Sequence, residues 1–271
     1  MGAAGMAGRR AGAARTRAVF AQAAPVSLGV FLYFTVRGLT AEDGEAAVRH
    51  ARWLAGWEQS LGIYHEPAVQ GFVDRFDGFI TVMNWVYIWG HWPVIATTLV
   101  WLVLRHPAGF RVMRDAMLAS GVVGLVVFVL YPVAPPRLAG LGLADTVTER
   151  SESYRLLQPK AFVNQYAAMP SLHVGWDLLV GVALFTCGGH LVLRIFGVLL
   201  PLFMIASVVA TANHYIIDAV VGVVLVLACR AAAVGVERRR RRPAPGSALI
   251  PRQRSGESVA RLREPSGRGR A

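Results

Sequence analysis

The sequence predicts an all-α fold: a polytopic membrane protein built as a six-span helical bundle. Three observations carry this. Of the 271 residues, 55% are hydrophobic and the mean hydropathy is +0.46, more apolar surface than a soluble domain can hide. The apolar residues gather into runs of roughly 20, the length a helix needs to cross a bilayer. The formal charge of +12 lies mostly outside those runs, with arginines on every second connection.

Taken in order, residues 18–36 are the first span. Arg9, Arg10, Arg15 and Arg17 precede it and no small-residue cleavage site follows, so it reads as a retained anchor. Residues 79–104 are the second span and 116–135 the third. Residues 172–193 are the fourth, with Asp177 as its one charge before Arg194, residues 195–208 and onward the fifth, and 215–236 the sixth. The basic segments, at the N-terminus, 105–114, around Arg194 and at the C-terminus, all fall on one side of six spans, which assigns both termini to the cytoplasm of a cell-membrane protein. The organisation is then a basic tail (1–17), a membrane domain (18–236) and a second basic tail (237–271), whose Arg, Pro, Gly and Ser content predicts disorder. These tails are read as topology signals rather than nucleic-acid binders. Cys187 and Cys229 have no ligand spacing and read as packing residues.

Between the first two spans, residues 41–76 face outward. Leu54, Trp57 and Leu61 recur at helical spacing with charges between them, which predicts an amphipathic helix at headgroup level, anchored by Trp53 and Trp57. His50, Glu58, His65 and Glu66 fit no metal-ligand pattern, and no metal or cofactor is expected.

Three polar clusters fall at outward span ends: "YPVAPPRL" with Arg137, "MPSLH" at 169–173, and "TANHYIID" at 211–218. Each suits phosphate chemistry. Pro170 fits the first turn of a helix, and the N–H groups of Ser171, Leu172 and His173 would point outward as an anion site. Arg137 supplies a permanent charge and a fork that matches phosphate oxygens. His214 and Asp218 are four apart and share a helix face, so the carboxylate can set the tautomer of a nucleophilic histidine. His173 is the candidate acid for the leaving oxygen. Asp177, four residues beyond His173, either lines a wet cavity, bonds a neighbouring helix, or holds His173 protonated.

On these residues the chain resembles the type-2 phosphatidic acid phosphatase superfamily, whose motifs are K-x6-R-P, P-S-G-H and S-R-x5-H-x3-D. It is more similar to the inositol phosphorylceramide synthase-like branch, through "PSLH" at 170–173, "HYIID" at 214–218, "APPR" at 134–137 and "NWVYIWGHWP" at 84–93. The resemblance covers residues 48–236. It implies a six-span fold, a membrane-embedded lipid phosphate as substrate, and displacement through a phosphohistidine on His214, with Asp218 orienting it and His173 protonating the leaving alcohol. Water or a second alcohol would then take the phosphoryl group.

The chain departs from the motifs at four places. Leu130 stands at the lysine position, Leu138 follows the arginine, Val208 stands at the second arginine position, and Leu172 replaces the glycine, whereas Ser207 is retained. Two phosphate-binding cations are therefore missing. Arg155, Lys160, Asn213 and Tyr131 are the groups placed to substitute. The expected activity is a lipid-phosphate phosphatase or inositolphosphotransferase-like enzyme acting at the outer leaflet. The competing expectation is a non-catalytic protein that binds or moves lipid phosphates on the same fold.

Overall fold

A computed structural model describes residues 44–150 and 165–242, together with isolated positions at 27–29, 31 and 35. The described residues are helical, apart from turns and a single bridge between Val133 and Ala167. The first predicted span (18–36), residues 151–164, and the C-terminal tail beyond 242 lie largely or wholly outside the described residues.

Two short helices come first. Helix α1 (Gly44–Ser60) buries Ala47, Ala51, Leu54, Ala55 and Glu58. Trp53, Trp57 and Leu61 are exposed. The inward stripe is thus mainly alanine, and the apolar spacing of Trp57 and Leu61 belongs to the outer face. Small residues are required because the 133–139 backbone comes close, with Ala134 N–H donating to the Ala47 carbonyl at 3.0 Å. Helix α2 (Glu66–Val73) starts at a proline in its first turn.

The second predicted span is two helices, α3 (Asp77–Trp89) and α4 (Trp92–Arg105), bent by 43° at Gly90–His91. Pro93 explains the break: it has no N–H to continue the ladder, and its ring would clash with the preceding turn. Helix α5 (Pro107–Leu130) begins nine residues earlier than the predicted third span, so most of the basic 105–114 segment is helix rather than loop. After a 3₁₀ turn at Pro136–Leu138 and α6 (Thr146–Arg150), α7 (Leu172–Cys187) stops at Gly188–Gly189, six residues short of the predicted fourth span. Helices α8 (Leu191–Ala210) and α9 (Ile216–Arg240) complete the bundle.

Among the described residues, α5, α8 and α9 are long and apolar enough to cross a membrane, and the bent α3–α4 pair makes a fourth candidate. The 16-residue α7 is apolar but shorter. The count of six is therefore an expectation that the described helices meet in part. Exposed Val122, Val126, Leu199, Phe203, Val220 and Val224 face outward from the bundle, as lipid-facing residues do.

Packing is closest where glycines remove side chains. A methyl built on Gly181 would stand 2.2 Å from the Gly197 carbonyl oxygen, which sets the α7–α8 crossing. At Gly222 it would stand 2.2 Å from the Ser171 carbonyl oxygen, so α9 lies directly against the start of α7. The core between them holds Leu102, Phe110, Met113, Phe128, Trp176, Val180 and Val226.

The bundle has two polar ends. Glu237 on α9 takes Arg111 Nε of α5 at 2.8 Å and Arg241 Nε at 2.9 Å, and Asp115 takes Arg114 and Arg240. At the other ends of α5 and α9 stand Arg137 and His214. The 25 residues of α9 span about 37 Å, a membrane thickness, between these two ends.

Candidate active site

The site begins with how its segments are stitched. Val133 N–H donates to the Tyr166 carbonyl at 2.9 Å and Ala168 N–H to the Val133 carbonyl at 3.1 Å. Arg137 N–H donates to the Ala212 carbonyl at 3.1 Å, and Ser171 N–H to the Asp218 carbonyl at 3.0 Å. These bonds bring the three polar clusters, distant in sequence, to one end of the bundle.

The turn between α8 and α9 carries the main histidine. Its backbone is tightly wound: Asn213 and His214 N–H both point at the Val208 carbonyl, and Ala212 sits at φ 51°, a left-handed conformation that costs an alanine about 1 kcal/mol. His214 is 5% exposed. Its Nδ1 lies 2.7 Å from the Ala168 carbonyl oxygen and 3.6 Å from Asp218 Oδ2. A carbonyl oxygen only accepts, so Nδ1 carries the proton. Nε2 of the neutral ring is then a bare lone pair, and it has no hydrogen-bond partner among the described residues.

Asp218 is fully buried. Its Oδ2 accepts Tyr215 N–H at 2.9 Å and its Oδ1 has no hydrogen-bond partner. The carboxylate thus caps its own helix and lies 3.6 Å from His214 Nδ1. The expectation that Asp218 sets the tautomer is modified: the hydrogen bond that does so comes from Ala168.

His173 stands in the first turn of α7, half-buried, its ring stacked on Tyr87 at 4.6 Å. Its centroid is 5.8 Å from that of His214. Ser171 is the N-cap of this helix, fully buried, its hydroxyl accepting from Val174 N–H at 3.5 Å. Pro170 precedes the helix rather than opening it. The Ser171 N–H, expected to be free for an anion, is instead consumed by the Asp218 carbonyl, because Gly222 lets α9 approach.

Arg137 is placed by the same turn. Its Nη1 donates to Asn213 Oδ1 at 2.5 Å and its Nε lies 3.2 Å from Asp145 Oδ1. Asn213 is oriented in turn by Thr211, whose Oγ1 accepts from Nδ2 at 2.7 Å. Asn213 therefore serves Arg137 directly. Gln70 of α2 holds the loop that carries Asp145 through paired bonds to Ala144. Leu130, at the absent lysine position, is 76% exposed, and Val208, at the absent arginine position, is fully buried. Tyr131 stacks on His50 at 3.9 Å. Arg155 and Lys160 lie outside the described residues.

Asp177 is fully buried, and its Oδ1 takes His91 Nδ1 at 2.8 Å. Of the readings open in the sequence, it is the bond to a neighbouring helix that the structure contains. The His91 ring, 2% exposed, lies 4.4 Å from that of His173. Sequence reasoning assigned His91 no role. Its signal was a histidine inside an apolar run, immediately before the proline that breaks it.

The outer acids were also missed as site builders. Glu58 Oε1 accepts Ile217 N–H at 2.7 Å and Glu66 Oε1 accepts Ile216 N–H at 2.9 Å. With Asp218 on Tyr215, three acidic side chains accept from the N–H groups that the start of α9 leaves open. Burial pushes the Glu58 carboxyl up to about 8, with the Ile217 N–H opposing and nearby Glu66 and Asp218 reinforcing. Among the described residues, no group of three or more His, Cys, Asp or Glu side chains is arranged to hold a metal ion.

The arrangement holds a lone-pair nitrogen, a second imidazole and a pre-held guanidinium at one end of the bundle, the parts that phosphate chemistry uses. Comparison with known families agrees with that chemistry: the family model of the PAP2 superfamily matches residues 52–232. No curated protein and no solved structure matches the chain.

Proposed function

From the premise that the chain belongs to the PAP2 superfamily, whose membership points to phosphatase or phosphotransferase activity on a phosphoric ester, we propose that it acts on a lipid phosphate through a phosphohistidine. The single observation that carries this is the His214 bond to Ala168, which leaves Nε2 unprotonated and aims the ring's basicity away from the backbone.

In the first step Nε2 of His214 attacks phosphorus and forms an N–P bond as the P–O bond to the lipid alcohol breaks. His173, protonated, gives its proton to the departing oxygen. Asp218 stabilises the positive charge that His214 acquires. Arg137, fixed by Asn213 and Asp145, offsets charge on the non-bridging oxygens. In the second step neutral His173 takes a proton from water or an acceptor alcohol, which attacks phosphorus and releases His214. Hydrolysis and transfer share the first step; in an inositolphosphotransferase-like reaction the phosphoryl group on His214 still carries its inositol, and an acceptor alcohol takes the place of water.

The donor is a lipid whose phosphate reaches the outer end of the bundle: a phosphatidate, a polyprenyl phosphate or diphosphate, or a phosphoinositol lipid. The support for an outward site is its position at the end of α9 opposite the arginine-rich end.

The test incubates purified protein in lipid nanodiscs with that panel, with and without an alcohol acceptor, and follows phosphate release and new lipid. His214→Ala should abolish turnover while retaining lipid-phosphate binding, and Asp218→Asn should reduce turnover strongly but less completely. Full turnover in His214→Ala overturns the phosphohistidine. Binding without turnover in the wild-type protein favours the non-catalytic reading.

A further inference from the structure

The superfamily's motifs place two cations in this chain at positions now held by Leu130 and Val208, and neither residue offers a charge. A phosphoryl group carrying two or more negative charges would meet Arg137 alone from those positions. The bend at Gly90–His91 brings a different group to the site. It turns the chain by 43° and carries the His91 ring into the bundle, 2% exposed, against α7. Asp177, one helical turn beyond His173, receives its Nδ1 at 2.8 Å.

We propose that His91 and Asp177 are a phosphate-binding pair: the His91 imidazolium, held by the Asp177 carboxylate, donates from Nε2 to a non-bridging oxygen of the phosphoryl group. The proposal rests on the phosphohistidine reading above and identifies the cation that this reading lacks.

Geometry supports it in three ways. With Asp177 ionised, Nδ1 of His91 is the donor in their bond, and Nε2 is the edge left for a ligand. That nitrogen has no hydrogen-bond partner among the described residues. The His91 and His173 rings lie 4.4 Å apart, which sets His91 beside the proposed acid of the reaction. The surroundings also hold the ring in place, with Trp92 edge-on at 5.2 Å and Trp176 parallel at 6.1 Å, itself fixed by Nε1 donating to Ser120 Oγ at 3.1 Å.

A fully buried carboxylate inside a bundle needs a partner, and an imidazolium makes the pair neutral overall. The titratable groups around His91 are Asp177 and His173 on α7, Tyr87 on α3, and His214 beyond His173.

The experiment measures competitive inhibition by inorganic phosphate and by orthovanadate across pH 5–9, using the full chain in nanodiscs. His91→Ala should weaken both inhibitors about 10- to 100-fold, the loss expected for one charge-assisted bond. His91→Gln, which keeps a neutral donor near the Nε2 position, should recover part of that loss. Asp177→Asn should weaken inhibition and move the pH above which it fades downward, because the ring loses the carboxylate that holds it. A purely structural tie would lower the thermal midpoint of these variants without moving that pH profile. Wild-type inhibition constants in His91→Ala overturn the proposal. If that variant does not fold, the near-isosteric Asp177→Asn decides: an unshifted profile with wild-type affinity overturns it equally. A wild-type protein that neither turns over lipid phosphate nor is protected by phosphate against thermal unfolding removes the phosphohistidine reading and this proposal together. A turning-over protein with an indifferent His91 removes this proposal alone.

Discussion

Gly222→Ala should disable the protein by adding one methyl group at the contact between α9 and the start of α7. The methyl would stand 2.2 Å from the Ser171 carbonyl oxygen and 3.0 Å from its carbonyl carbon. Both are backbone atoms, so no side-chain rotation relieves the contact. An ordinary carbon–oxygen contact is about 3.2–3.5 Å, so α9 and the start of α7 must part by about 1 Å. That movement pulls on the Ser171–Asp218 backbone bond and separates His173 on α7 from His214 before α9. Overpacking of this kind costs about 1–3 kcal/mol of stability, and a 1 Å misplacement costs about 100-fold in rate. The assay pairs phosphate release in nanodiscs with the thermal midpoint. The control is Gly235→Ala on the same helix, where nothing lies within 4 Å and the added methyl should be neutral or slightly stabilising. Wild-type rate and midpoint in Gly222→Ala would refute the close α7–α9 crossing as the device that joins the two histidines.

Arg137→Ala should lower the rate by about 30- to 1000-fold, the equivalent of 2 to 4 kcal/mol, and Arg137→Lys should recover only part because it lacks the fork; an unchanged kcat/KM would count against its role. Glu58 has a native carboxyl raised from 4.5 to about 8, so the folded protein keeps a proton that the unfolded chain has released. Its stabilising contribution is full below about 4.5 and is lost as pH rises through about 8, so Glu58→Gln should flatten the fall of the thermal midpoint between pH 5 and 8.5. Parallel curves for the two proteins would refute the buried-acid reading. Cysteines placed at Ala144 and Gly246 should label from opposite faces of the membrane, with position 144 outside; labelling of both from the cytoplasm would turn the site inward.

The sequence by itself determined that this is a helical membrane chain, and it singled out Arg137, His173, His214 and Asp218 as one candidate set, which the fold gathers at one end of the bundle. Apolar run length is a one-dimensional property, and four-residue spacing fixes a shared helix face whatever surrounds it. It placed α8 and α9 well for the same reason. It misplaced the ends of α5 and α7: Arg111 lies within helix α5 and pairs with Glu237, 126 residues away, a partner that is invisible locally. The outer helix failed similarly, because hydrophobic spacing marked Trp57 and Leu61 while the inward face was chosen by a neighbouring backbone that only alanines admit.

Only the tertiary structure decided what the acids do. Asp177 lies four residues from His173, yet it bonds His91 across the bundle. Glu58 and Glu66 read as surface charges of an amphipathic helix, yet they satisfy the N–H groups that α9 leaves open. Even the His214 tautomer comes from the carbonyl of Ala168, 46 residues earlier, rather than from the aspartate on its own helix. A hydrogen bond is decided at about 3 Å between groups whose separation along the chain carries no weight. Sequence spacing therefore named the candidate groups, and the packing of α7 against α9 and α4 assigned their partners.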